Sequence, residues 1–537
     1  MSEPVFVACD MGTTLVKAAV VDLSGAVLGQ WAEESRLERP RPGVVEQDLL
    51  QIESEAHTAI RRAVEQSGRA SDVAAVSFSS QMSGIGAVGD DFAPVAPFDS
   101  WLDSRCAQDI YDMEPHARRV AELSGCPPTY SHGPKQRWLK RTQPDVYRRT
   151  RAFQVPGPFV AARLAGLDVG DAYIDRTNLC FANLSDTRAG TWSEELVDLF
   201  GLDAEKLPRI VGPDEVVGHV TPTASAATGI PAGVPVVAGG GDQIVACLGV
   251  GVSRPGRASD SAGTASLFSV CLDRWAPDTD ALNLITSQSI VPGQYLAFAF
   301  VNGGGQGLEW VRREVLGSNE SADVAFGKLE DLAAAVPPGS EGLLWLPHFQ
   351  GGVTPPRPHL RSGWIGITGG HTQGHLYRSV LEGIALQYAS WAEHAATAMG
   401  RPLTEVRAMG GGSKSDLWLS IKADVLGIPF VRTSTSEAAL LGNALLGALA
   451  TGHVTDVAAT ADQWNSTSPA VRPDPGRHQE YERYRVVFER LSQTVDPVFR
   501  ELSALSSAAG PTPDVPASGR PLTDPEHDDP STTDEGA

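Results

Sequence analysis

Apolar residues run from Val5 to Cys9, break at Asp10-Met11-Gly12-Thr13-Thr14, and resume from Val16 to Val21. Two short apolar runs around a glycine-containing break predict a β-hairpin. A related break returns about half a chain later, where Asp260-Ser261-Ala262-Gly263-Thr264 precedes a strand-like run from Ser266 to Leu272. Within Asp48 to Gln66, residues Ile52, Ala56, Ile60 and Val64 fall four apart, which predicts a helix with one apolar face. Val73 to Phe78 predicts the next strand. Farther on, Val234 to Ala238 reads as a strand running into a glycine turn, Gly239-Gly240-Gly241-Asp242, with a small-residue helix over Gln243 to Gly249. Val406 to Met409, Gly410-Gly411-Gly412 and Leu417 to Leu426 repeat the sequence of strand, glycine turn and helix, with Ser413 or Ser415 as the helix cap. Gly303-Gly304-Gly305 precedes a helix carrying Trp310, and Ala438 to Leu449 reads as a helix containing Gly442 and Gly447. This alternation predicts an α/β fold.

With 537 residues the chain exceeds one ordinary core, so two domains with a cleft between them are expected. We place them at 1–253 and 254–505, with the hinge in Gly249 to Pro255, followed by an acidic tail at 506–537. The tail is rich in Pro, Ser, Thr, Asp and Glu and is read as a disordered, solvated extension. No apolar run approaches the ~20 residues of a membrane span, and a strand begins almost at the N-terminus, which predicts neither membrane partner nor signal peptide. The six cysteines are scattered without metal-like spacing, as in a reduced cytoplasmic protein. The net charge of −22 argues against a nucleic-acid partner, so any anionic ligand needs a local site.

The two hairpin tips supply such a site. A glycine there lets successive backbone N–H groups converge on an anion while threonine hydroxyls add donors, so phosphate is held without a Walker lysine. Two tips in one chain predict two related halves facing one nucleotide. Asp242, on a glycine-rich turn beyond a strand, is expected to face the same cleft.

These motifs resemble the FGGY carbohydrate kinases, in the actin, hexokinase and heat-shock ATPase superfamily. The resemblance spans roughly residues 4 to 500 and rests on DMGTT at the start, SSQM at 79–82, WLDSR at 101–105, GGGDQ at 239–243, SAGTAS at 261–266 and GGGSKSDLW at 410–418. Most specific is the stretch from Ser362 to Glu382, which fits the family's C-terminal signature throughout. A second signature near Tyr130 to Leu139 is imperfect, because Gln136 stands where an apolar residue is usual.

The resemblance implies two ribonuclease-H-like domains and ATP-dependent, Mg²⁺-assisted phosphorylation of a small-molecule sugar or polyol hydroxyl in the cleft between them. Asp10 aligns with the aspartate that holds Mg²⁺ through water. Gly12, Thr13, Thr14, Gly263 and Thr264 fall on the phosphate turns, and Lys17 is either near phosphate or solvated. Gly410, Gly411, Gly412 and Ser413 fall on the adenosine turn, with Gly304 a further nucleotide contact. Asp242 aligns with the catalytic base. With an ordinary carboxylate pKa of about 3.9 it would accept the proton late, as the oxygen bonds to phosphorus. Gln81, Met82, Ser83, Trp101, Asp103, Arg105 and Tyr130 fall on positions that shape the sugar pocket. Asp103 and Arg105 either bind hydroxyls or pair with each other, and Tyr130 is either a substrate contact or ordinary core. Xylulokinases place a histidine where this chain has Ser83, and glycerol kinases an Arg-Glu pair that is missing here. A ketopentose such as xylulose is the leading substrate expectation. The alternatives are another polyol, an aldonate or a branched sugar, and, in a different class, a non-catalytic nucleotide-gated sensor. A homodimer is compatible with the sequence.

Overall fold

The computed structural model describes residues 3–508, apart from 264, 318–320, 355 and 436. Strands β1 (Val5–Met11) and β2 (Leu15–Asp22) form the first hairpin, in register from Val5 opposite Asp22 to Met11 opposite Val16. On β1, Val5, Val7, Cys9 and Met11 enter one apolar cluster while Phe6 and Ala8 enter another. A strand buried on both faces needs an unbroken apolar run, as the sequence has here.

With β3 (Val27–Glu34), β4 (Val73–Ser80), β5 (Val216–His219) and β6 (Pro235–Gly241), the hairpin builds a six-stranded sheet ordered β5-β6-β4-β1-β2-β3. Helix α1 (Leu49–Ser67), capped by the Asp48 carboxylate accepting from the Leu50 N–H, packs on one face, and α2 (Asp242–Gly249) follows β6. A second six-stranded sheet joins β7 (Arg257–Ala262), β8 (Ser266–Leu272), β9 (Ile285–Gln288), β10 (Tyr295–Val301), β11 (Glu405–Met409) and β12 (Phe430–Arg432), ordered β9-β10-β8-β7-β11-β12. From β3 inward, the order β3-β2-β1-β4-β6 has the same pairing directions as β10-β8-β7-β11-β12, with three antiparallel strands followed by two parallel ones. The recurrence of the hairpin motif is thus a recurrence of a whole sheet, the two-lobed α/β fold of the actin and hexokinase type.

The second sheet carries α3 (Gly304–Trp310), α4 (Gln373–Met399) and α5 (Asp416–Leu426), and after β12 comes α6 (Ala438–Ala450). Helices α2 and α6, equivalent in the two halves, cross in backbone contact. A Cβ on Gly249 would lie 1.8 Å from the Ala438 carbonyl oxygen, and one on Gly442 would lie 2.1 Å from that of Val245. Around the crossing, Phe6, Val245, Leu248, Leu441, Leu445 and Phe298 make an apolar core shared by both lobes.

Two local expectations are revised, and one pair of alternatives is resolved. The run Gly239–Gly241 is not a turn: it continues β6 in parallel pairing, Gly240 beside Ser79 and Gly241 beside Ser80, and Asp242 opens α2 directly. Of the two candidate caps of α5, Ser415 accepts from the Trp418 N–H at 3.0 Å, while Ser413 turns back to the Gly410 carbonyl. The last helix, α7 (Pro475–Ala508), includes residues 506–508 that were assigned to the tail; 509–537 lie outside the described residues. Within Gly249–Pro255, Val250 and Val252 are buried, and Arg407 Nη1 donates to the Val250 carbonyl at 2.6 Å.

Candidate active site

The parallel register of the first sheet assembles the centre of the site. Asp10 stands beside Ser79, and Ser79 beside Gly240, so Asp242, two residues on, arrives at the carboxyl ends of the strands next to Asp10. Ser79 Oγ donates to Asp10 Oδ1 at 2.6 Å and accepts from Asn443 Nδ2 of α6 at 2.7 Å. Burial pushes the Asp10 carboxyl up to about 6, against the pull of the Ser79 hydrogen bond and Lys17. Burial and the neighbouring Asp10 charge push Asp242 up to about 7, against the Gln243 N–H it accepts at 2.7 Å. This corrects the expectation of an ordinary carboxylate: burial and the Asp10 charge hold Asp242 above the usual carboxylate range. Lys17, opposite Asp10 on β2, is half-buried, and its Nζ pairs with Glu437 at 2.9 Å, across the lobes.

At the first hairpin tip, Gly12 N–H closes the turn onto the Leu15 carbonyl at 3.0 Å, leaving Thr13 half-buried and Thr14 exposed. Trp101 Nε1 donates to Thr13 Oγ1 at 2.9 Å, so the hydroxyl proton of Thr13 stays available to an acceptor. The Trp101 ring also meets Phe300 of the second lobe edge-on, 6.3 Å between centroids.

Gln81, Met82 and Ser83, expected on the sugar side, follow directly on β4. Gln81 Nε2 donates to Gln47 Oε1 at 2.7 Å, while its Oε1 is buried without a partner, an acceptor open to a ligand hydroxyl. Met82 packs its thioether against Gly241. His132, which the sequence reading did not single out, donates from Nε2 to the Met82 carbonyl at 2.7 Å; burial pulls its pKa down to about 4, so the ring is neutral. Asp103 and Arg105 take the second of their two readings and pair with each other, Nε to Oδ2 at 2.8 Å. Asp103 is buried and also accepts from the Val45 N–H; Arg105 further pairs with Asp99 and Glu46 and lies 4.4 Å over the Trp138 ring. The pair is thus tied into a network of three carboxylates around one guanidinium. Tyr130 packs on the apolar cluster that contains Ile85 and Trp138. Asp175 and Thr177, also missed, hold the catalytic strand end: Thr177 Oγ1 accepts from the Gly241 N–H at 2.8 Å and bonds Asp175. Their signal lay in nothing local, since they sit about 65 residues before the backbone they fix.

In the second lobe, Gly263 is exposed at the tip of the β7–β8 hairpin, its N–H on the Ala265 carbonyl; Thr264 lies outside the described residues. Gly410 has φ +77°, and it turns the chain so that Gly411 lies open and Gly412 faces Ala262 beside that tip. Ser413 is half-buried in the same turn, and Gly304 is buried against Ser266 at the start of α3. Thr13 and Thr14 at the first tip and the open Gly411 of the Gly410–Ser413 turn therefore leave hydroxyl donors and accessible backbone of the kind a nucleotide needs, while the Gly12 and Gly263 N–H groups are used within their own tips. Among the described residues no group of three or more His, Cys, Asp or Glu side chains could hold a metal by itself. The donor set fits Mg²⁺ nonetheless: two carboxylates that repel each other are relieved by a divalent cation, which commonly takes one or two carboxylates and completes its shell with water and phosphate.

Comparison with known proteins bears on this geometry. The profile of the FGGY family of carbohydrate kinases, N-terminal domain, matches residues 5–249, and that of its C-terminal domain matches 258–451. A xylulose kinase of Staphylococcus epidermidis is 27% identical, covering 94% of this chain and 100% of its own length. A glycerol kinase of Bordetella parapertussis is 30% identical, covering 90% and 96%. The crystal structure of xylulose kinase from Rhodospirillum rubrum superposes with a TM-score of 0.84 at 26% identity, covering 92% of this chain and 99% of that one.

Proposed function

The chain belongs to the FGGY family of carbohydrate kinases, and on that premise we propose that its acceptor is a ketopentose such as xylulose, with Asp242 as the general base. It is an enzyme that transfers phosphate from ATP to a hydroxyl of a small sugar. The observation that carries the assignment of the base is the half-buried Asp242, beside Asp10 at the strand ends, with a raised affinity for protons. Nearness to neutral pH is what general-base catalysis rewards.

The chain's residues act mainly by position. Gln81 Oε1 accepts from one acceptor hydroxyl and the Trp101 ring packs on the carbon face, presenting another hydroxyl to Asp242. As that oxygen bonds to the γ-phosphorus and the bond to the β-phosphate oxygen breaks, its proton passes to Asp242 and ADP leaves. Thr13 and Thr14 donate to the phosphates, Gly12 and Gly263, whose N–H groups close their own tips, let the phosphates approach the backbone, and Gly304, Gly410, Gly411, Gly412 and Ser413 border the nucleoside. Bound through Asp10, Mg²⁺ would neutralise phosphate charge. Closure of the lobes, which we divide between residues 253 and 254, would exclude water as a competing acceptor. The six unpaired cysteines support residence in the cytoplasm. A polyol acceptor is the second reading, supported by the 30% identity to a glycerol kinase and by the short Ser83 side chain.

The test is ADP release with Mg-ATP against ketopentoses, aldoses, polyols and aldonates, with product mass. Xylulose should respond most strongly, and Asp242→Asn should keep nucleotide binding while losing on the order of 10² to 10⁴ in turnover. A stronger polyol response would replace the acceptor assignment, and near-normal turnover of the variant would remove Asp242 as base.

A further inference from the structure

A separate cavity of about 470 Å³ lies in the second lobe between the end of β10, the 347–360 segment, α4 and α7. Apart from Phe300, which also meets Trp101, its lining is distinct from the cleft residues described above, and its volume lies in the range of small-molecule sites, ~300–1,000 Å³. Its lining is unusual in what it leaves unpaired. Asn283, Asn302, Gln387 and Gln493 line it, and none of their carboxamides hydrogen-bonds another described residue. Thr354 Oγ1, also in the wall, is buried without a partner. His348 adds an imidazole that burial and Arg357 hold down to about 4, so it is neutral. A buried hydroxyl without a partner, such as that of Thr354, is costly unless something occupies the space, while the half-buried and exposed carboxamides stand ready for a ligand.

The chemistry of the wall narrows the occupant. Carboxamides donate and accept side by side, which matches the paired donor and acceptor character of vicinal hydroxyls. Trp391 and Phe488 supply apolar faces for C–H groups. The charged groups cancel: Arg357 and Arg500 against Asp496 and Glu489, with Arg500 bound to Asp496 at 2.8 Å and Glu489 to Arg485 at 2.8 Å. An anionic sugar would gain no net attraction there.

From these observations we propose that this cavity is a second carbohydrate site, taking an uncharged monosaccharide or its alditol apart from the phosphorylation cleft. Two contacts lead from it toward the first lobe. Thr129 Oγ1 donates to the carbonyl of Val353 in its wall at 3.0 Å, and Phe300, another wall residue, meets Trp101.

Binding of xylitol, D-xylulose, D-glucose and D-glucose 6-phosphate to the full chain, followed by ligand-observed NMR and calorimetry, tests this. The variants are Gln387→Met and Gln493→Met, which keep side-chain length; Gln493 is exposed on α7, which protects folding if the first variant is unstable. At least one uncharged ligand should bind the wild type and weaken by about tenfold in each folded variant, with kcat and acceptor KM of the kinase reaction within twofold. Binding that neither variant alters, binding confined to the sugar phosphate, or a parallel rise in acceptor KM that marks the cavity as part of the phosphorylation cleft would each overturn the proposal.

Discussion

At the scale of single residues, two buried carboxylates dominate the behaviour of the cleft. Asp10 and Asp242 bind protons more tightly in the folded chain than unfolded, where carboxyl groups titrate near 4. Their contribution to stability is therefore fully present below about pH 4 and is lost as pH rises through about 6 to 7. Ligand-free protein should accordingly lose unfolding temperature between pH 5 and pH 8, and Asp242→Asn should lose less. Equal slopes in the two proteins would show that Asp242 is not the group responsible. Mg-ADP should flatten the wild-type slope, because a bound cation favours the charged carboxylates. The same scale explains why residues such as His132 and Thr177 escape a reading of the chain. A neutral histidine beneath a carbonyl, or a threonine receiving a distant N–H, carries no local pattern.

At the scale of elements, the two hairpins are alike in topology and unlike in chemistry. Counting back from their last pairs, Met11 with Val16 and Ala262 with Ser266, Asp10 is matched by Ser261, and Asp260 by Cys9. Side chains alternate along a strand, so a one-residue displacement sends the second carboxylate to the other face. There Asp260 is fully buried, paired with Lys422 Nζ at 2.5 Å and accepting from Tyr388 at 3.1 Å, with the ammonium 3.7 Å from the Trp418 ring centroid. Two similar turns thus give one carboxylate at the cleft, which we propose for the metal, and one in the core. Lys422→Met should destabilise the protein by about 3–5 kcal/mol in urea titrations by stranding Asp260, and adding Asp260→Asn should recover much of the loss. A loss below about 1 kcal/mol would mean the pair is not carrying that load.

At the scale of the whole molecule, the lobes meet where α2 and α6 cross, with glycine on each side of the contact. Gly442→Ala places a methyl group 2.1 Å from the Val245 carbonyl oxygen, so the helices must separate. We expect a cost of about 1–3 kcal/mol in thermal unfolding together with reduced turnover, since Asp242 opens one of these helices and Asn443, in the other, bonds Ser79 beside Asp10. Stability lost with kcat unchanged would separate the crossing from the chemistry. The local patterns of the chain were enough to determine the hairpins, the apolar face of the first helix and the family, because each is written in neighbouring residues or in motifs of fixed spacing. The tertiary structure alone decided that Asp103 and Arg105 satisfy each other, that Lys17 answers to Glu437, that Asp260 belongs to the core, and that Asp242 sits near neutrality. Those outcomes depend on burial and on charges brought together from distant parts of the chain, and a carboxylate's surroundings, unlike its identity, are fixed only when the lobes have packed.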